Sequence, residues 1–112
     1  MAISLIISLN FHPGHVSHMV ASYKQIEELG YEAMYCVSER FVPYLPAGSR
    51  ICVYGKDKLP KVNLALFLFP SQKNLLLILK LKRLGAKILY IFHEPLDPLK
   101  EYKKAGFSYK YL

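Results

Sequence analysis

Cysteine is scarce in this sequence: Cys36 and Cys52 are the only two. They form no Cys-x-x-Cys pair and stand at no cysteine–histidine spacing, so no zinc ligand set is indicated. Each sits in an apolar run that reads as a strand, which makes both buried thiols of a reducing compartment rather than a disulfide. Long apolar runs are missing too, and no transmembrane helix is expected. The opening MAISLIISLNFHPGH lacks a basic n-region and a small-residue cleavage site, so it does not read as a signal peptide. No GxGxxG and no GxxxxGK[ST] occurs, which excludes a dinucleotide fingerprint and a P-loop. No RNP or KH pattern occurs, and no nucleic-acid partner is expected. With no internal repeat, low-complexity stretch or long linker, residues 1–112 read as one domain.

What is present is a well-supplied core. Apolar residues make up 53% of the 112 positions, ample for a folded domain. The net charge of +7 is unevenly placed. Up to Tyr54 there are three basic residues against four acidic; from Lys56 onward there are twelve against four. Such a skew suggests an anionic partner for the second half, or a solvated lysine-rich surface.

The residue pattern alternates strands and helices. Ile3 to Leu9 is a short Ile/Leu-rich run, suited to a buried parallel strand. Asn10 to His15 forms a turn-rich loop in which Gly14 is expected to adopt a backbone conformation closed to other residues. Val16, Met19, Val20, Tyr23, Ile26 and Leu29 then mark one face of an amphipathic helix, with Gly30 at its C-cap. Tyr31 to Val37 reads as a strand, Ser38 as the cap of a short helix from Glu39 to Tyr44, and Arg50 to Tyr54 as a third strand. Leu64 to Phe69 is a continuous apolar run fit for a central strand. Pro70 and Ser71 open a leucine-rich helix that runs to Leu84 and closes at Gly85. Lys87 to Phe92 is the fifth strand; Asp97-Pro98 starts a short basic helix, and Phe107 to Leu112 another strand. This order predicts an α/β, three-layer Rossmann-like domain with a mostly parallel sheet and right-handed crossovers.

Candidate functional residues lie at two strand ends, where ligands meet doubly wound sheets. The Pro13-Gly14-His15-Val16-Ser17-His18 loop leads into a helix N-terminus, which offers free N–H groups to an anion. His12, His15 and His18 crowd it. They share no single helical face and have no carboxylate nearby in sequence, so capping or hydrogen bonding is expected rather than metal ligation. His93 and Glu94 end the apolar fifth strand, where a polar pair is costly to desolvate without a task or partner. A surface turn closed by Pro95 is the alternative. The leucine-rich helix, basic at its end, reads either as a membrane-dipping element or as core, and core is expected.

These stretches resemble the N-terminal half of a GT-B glycosyltransferase of retaining family four. The loop Pro13–His18, the turn Leu29-Gly30-Tyr31-Glu32, and the series Leu64 to Phe69, Ser71 to Leu84, Gly85, Lys87 to Phe92 and His93 carry the resemblance over nearly the whole chain. The place of the family's second loop glycine is held by His15. The resemblance implies an acceptor-binding half that faces a donor-binding domain, in the same or a separate chain, across a cleft. It also implies transfer from a nucleotide-sugar, with no other cofactor, to a lipid-linked or polysaccharide acceptor. By position, Gly14 would let the backbone approach the donor diphosphate, His93 would touch the sugar near the reacting carbon, and His18 or His15 would match the helix-start histidine; Glu94 joins them as a binding residue. Lys80, Lys82, Arg83, Lys100, Lys103 and Lys104 form the expected patch toward an anionic, cytoplasmic membrane face. The 112 residues alone are expected to transfer nothing. The competing expectation is a non-catalytic α/β binding module at a membrane surface.

Overall fold

A single parallel sheet organises the chain. The computed structural model describes residues 3–69 and 71–90. The strands are β1 (Ile3–Ser8), β2 (Glu32–Val37), β3 (Ile51–Val53), β4 (Leu64–Phe67) and β5 (Lys87–Tyr90), all parallel, in the order β3-β2-β1-β4-β5. Helix α1 (Val16–Glu28) packs on one face of the sheet and α2 (Asn74–Arg83) on the other. The result is the expected α/β, three-layer Rossmann-like arrangement.

β1 lies between β2 and β4 and is covered on both faces, which explains its Ile/Leu-rich run and the burial of Ser4 and Ser8 within it. Leu5 and Ile7 point to the α2 side, where Phe67, Leu77, Ile78 and Leu81 meet them. Ile6 points to the α1 side with Met19, Tyr35 and Leu66. A continuous run therefore feeds two cores by simple alternation.

Both helices end in the same way. Gly30 N–H bonds the Glu27 carbonyl and Tyr31 N–H that of Ile26; Gly85 N–H bonds Lys82 and Ala86 N–H bonds Leu81. These are paired Schellman closures, with glycine in the left-handed region at φ 88° and 84°. The closure ends the apolar face of α1 early. Met19 and Ile26 are buried, Val16, Val20 and Tyr23 half-buried, but Leu29 caps the helix and is 73% exposed. Gly14 departs from expectation in the opposite sense. Its φ is not positive. A Cβ there would stand 3.1 Å from two atoms of the His12 ring, so the glycine makes room for that side chain.

Helix α2 starts at Asn74 rather than Ser71, and it is not wholly core. Leu77, Ile78 and Leu81 are buried, whereas Leu76, Leu79 and Leu84 are exposed. The segments after Tyr90, read above as a basic helix and a further strand, lie outside the described residues.

Cys36 and Cys52 are free, buried and paired in register on β2 and β3. Burial, reinforced by Cys52, pushes the Cys36 thiol up to about 12, and burial beside Tyr23 takes Tyr35 to about 12 as well. Both groups keep their proton in the folded state at pH values where the unfolded chain has lost it. Their contribution to stability is complete below the unfolded value, 9.0 for the thiol, and disappears as pH rises toward about 12. Urea unfolding is predicted to show flat stability from neutrality to pH 9.0, then a decline of about 1.4 kcal/mol per pH unit from the thiol alone. Cys36→Ala is expected to make that decline shallower; an equal slope in the variant would contradict the assignment.

Candidate functional site

Beyond their carboxyl ends, β1 and β4 part company. The chain leaving β1 turns toward α1 and the chain leaving β4 toward α2, on opposite faces. The sheet order reverses at this pair, the place where a doubly wound sheet ordinarily takes its ligand.

A polar latch spans the parting. Asn10 Nδ2 donates to Ser71 Oγ at 2.7 Å, bridging 61 residues of sequence. The same hydroxyl accepts the Lys73 N–H at 3.2 Å, and the Ser71 carbonyl accepts the Asn74 N–H. Ser71's engagement here explains the late start of α2. Asn74, only 2% exposed, donates from Nδ2 to the Phe69 carbonyl at 2.9 Å and to the Tyr90 hydroxyl at 2.5 Å. The Tyr90 ring in turn stacks on Phe67 at 5.4 Å. The end of β4, the first turn of α2 and the end of β5 are thus tied together at one point.

Aromatic rings also meet across the parting. The His15 ring lies on Phe69 with centroids 3.5 Å apart and planes 8° from parallel. His12 stacks on His15 at 4.9 Å, and His18 meets Phe69 edge-on at 6.1 Å. His12 Nδ1 also accepts the Gly14 N–H at 3.0 Å, capping the 3₁₀ turn Pro13–His15 that leads into α1. The three histidines therefore converge through Phe69 and a cap, not through one helical face. Among the described residues, no three metal-ligating side chains gather into a site.

The neighbouring strand end adds a cation. After β2, a 3₁₀ helix (Glu39–Tyr44) carries Arg40, whose guanidinium sits 4.6 Å above the Phe11 ring, while Phe11 packs against Phe41. The buried hydroxyls of Ser8 and Ser38, at the ends of β1 and β2, have no hydrogen-bond partner. Ser38 precedes the short helix as expected but makes no side-chain cap. Chemically the rim offers a flat aromatic surface, imidazole nitrogens and a fixed cation, suited to a planar or sugar-like ligand bearing negative charge.

A concavity of about 200 Å³ lies apart from this rim. It is lined by Tyr23, Lys24, Glu27 and Tyr35 and by the Pro46–Ser49 turn that precedes β3, toward the other end of the sheet. Tyr23 stacks on Tyr35 at 4.5 Å, and its hydroxyl accepts the Arg50 N–H.

Of the residues singled out in the sequence, Gly14, His15 and His18 lie together at the rim. Lys80, Lys82 and Arg83 are exposed in the last turn of α2. His93, Glu94, Lys100, Lys103 and Lys104 lie outside the described residues. Asn10, Arg40, Phe69, Ser71 and Asn74 were not anticipated. Asn74 alone left a trace: it is the one polar residue on the stripe shared with Leu77, Ile78 and Leu81.

Removing the latch is predicted to be costly. Asn74→Ala is expected to lower stability by about 1–3 kcal/mol, because it removes the donor shared by the Phe69 carbonyl and the Tyr90 hydroxyl and leaves that carbonyl only the longer Tyr90 contact at 3.4 Å. Gln72→Ala, at an exposed position beside it, is expected to change stability by less than about 0.5 kcal/mol. Chemical denaturation checks both, and equal effects would contradict the latch. No described helix is long and apolar enough to cross a membrane. No family model, curated protein or solved structure matches this chain.

Proposed function

We propose that the chain is the acceptor-side half of a glycosyltransferase that uses a nucleotide-activated sugar. The observation that carries this reading is the stacked His15–Phe69 pair standing over the β1/β4 crevice. Sugars present C–H faces that lie well on aromatic rings, and α/β sheets of this order take ligands at that crevice. Arg40 on its Phe11 support supplies a cation for an anionic group, and the N-terminus of α1 points its partial positive charge to the same side. In such a half, catalysis is positional and electrostatic: the acceptor hydroxyl is oriented here, and the leaving diphosphate is stabilised across the cleft. His93, next along the chain from β5, is assigned to contact the transferred sugar. Gly14 is packed under the His12 ring, so its role in this reading is to seat that cap rather than to admit a diphosphate.

A non-catalytic α/β module is the second reading, favoured by the exposed leucines of α2. Binding at the rim separates the two. Titration of the chain with sugar phosphates and short oligosaccharides, standing for the acceptor and followed through the histidine ring signals, is predicted to show weak binding. One wall of a two-walled cleft supplies only part of the contacts. The shifts are expected at His15 and His18, lost in Phe69→Ala and kept in Ser49→Ala. Absence of any rim shift, or shifts confined to Tyr23 and Tyr35, would contradict the proposal. When the chain is joined to a donor-binding half, His93→Ala is expected to abolish transfer without unfolding the protein; retained turnover would remove that assignment.

A further inference from the structure

The outer face of α2 has a character that neither the fold nor the rim requires. At roughly 100° per residue, Asn74, Leu77, Ile78 and Leu81 point into the core. Leu76, Leu79 and Arg83 then form a ridge on the opposite side, with Leu76 73% and Leu79 56% exposed. Lys73 and Lys80 flank the ridge on one side and Lys82 on the other, all exposed. Leu84, the C-cap residue, is 54% exposed as well. From Lys58 to His93 the sequence contains no aspartate or glutamate. Within this stretch of sequence, the charged neighbours of the leucine ridge are all cations.

We infer that this ridge docks α2 flat onto an anionic lipid surface, with the leucines entering the interface and the lysines and Arg83 meeting headgroup phosphates. Charge complementarity selects the occupant. A second copy of the chain seated on the same ridge would bring cations against cations with no acidic residue from this segment to relieve them. A folded protein partner would find a convex leucine ridge without an aromatic anchor, where leucine seldom carries binding energy. A bilayer needs neither a groove nor a fixed partner shape, and its surface supplies diffuse negative charge. The long lysine side chains can lie along the helix with their ammonium groups at headgroup level while the leucines go deeper.

The orientation has a consequence for the rim. The first turn of α2 is bonded to the Phe69 carbonyl through Asn74, so a docked helix holds the crevice beside the membrane surface. This docking does not depend on what the rim binds.

Vesicle co-sedimentation of the full chain tests the inference. Vesicles of phosphatidylcholine containing about a third phosphatidylglycerol are expected to bind it, and phosphatidylcholine alone to bind at least about tenfold more weakly. Raising ionic strength is expected to weaken binding, because the Debye length contracts from about 10 Å at 0.1 M to about 3 Å at 1 M. The double variant Leu76→Ser/Leu79→Ser, altered only at exposed positions, is expected to lose about tenfold in partitioning with an unchanged thermal unfolding midpoint. Lys80→Glu/Arg83→Glu is expected to do the same. Leucine variants that bind like the parent, equal binding to neutral vesicles, or no binding at all would each overturn the inference. So would a concentration-dependent dimer abolished by Leu76→Ser, which would make the ridge a self-interface.

Discussion

The placement of β1 between two partners and under two helical layers is the constraint on which the molecule depends. Its register runs six residues along β2 and four along β4. Its alternating side chains enter both cores, with Leu5, Ile6 and Ile7 at most 1% exposed. Because β2 continues the sheet one way and β4 the other, the loops leaving β1 and β4 must go to opposite faces. The crevice at their carboxyl ends follows from topology before any side chain is chosen. Asn10, Ser71 and Asn74 then set its width, and His15 on Phe69 gives it a surface.

Much of this was legible in the sequence, and what was not has physical reasons. The strands were readable because β1 and β4 are covered on both faces, so β1 is rich in Ile and Leu and β4 is continuously apolar. The helix ends were readable because each closure needs glycine beyond the last turn, at Gly30 and Gly85. Leu29 was misplaced because helical spacing continues through a residue that the closure of α1 turns outward. Leu75 to Leu79 carry no period at all, so sequence alone could not say which leucines face the sheet. Ser71 was taken for a helix start because its partner Asn10 lies 61 residues away. Gly14 does not use the left-handed conformation open to glycine, and nothing local reveals that the His12 ring fills the space beside it.

The two surfaces that point to function differ in how the sequence encodes them. The rim is assembled from residues distant in sequence, and its parts are individually unremarkable: an asparagine, a serine, a phenylalanine just past a strand. The α2 ridge is the reverse, a local excess of leucine and lysine that becomes informative only once the inward face is subtracted. The Asn74 hydrogen bonds join them, because the helix that carries the ridge also closes one wall of the crevice. A sugar transferase acting on lipid-borne acceptors would use both surfaces at once.

All of this requires that β4 stay locked to β1, so that the crevice exists before a ligand arrives. Native-state hydrogen exchange measures that lock residue by residue. The account predicts that the hydrogen-bonded amides of Leu5–Ile7 and Ala65–Phe67 exchange only through global unfolding, at one shared free energy, while those of the edge strands β3 and β5 exchange sooner. A separate, lower-energy opening of Ala65–Phe67 would mean that β4 parts from β1 within the folded protein, and a preformed crevice would be contradicted.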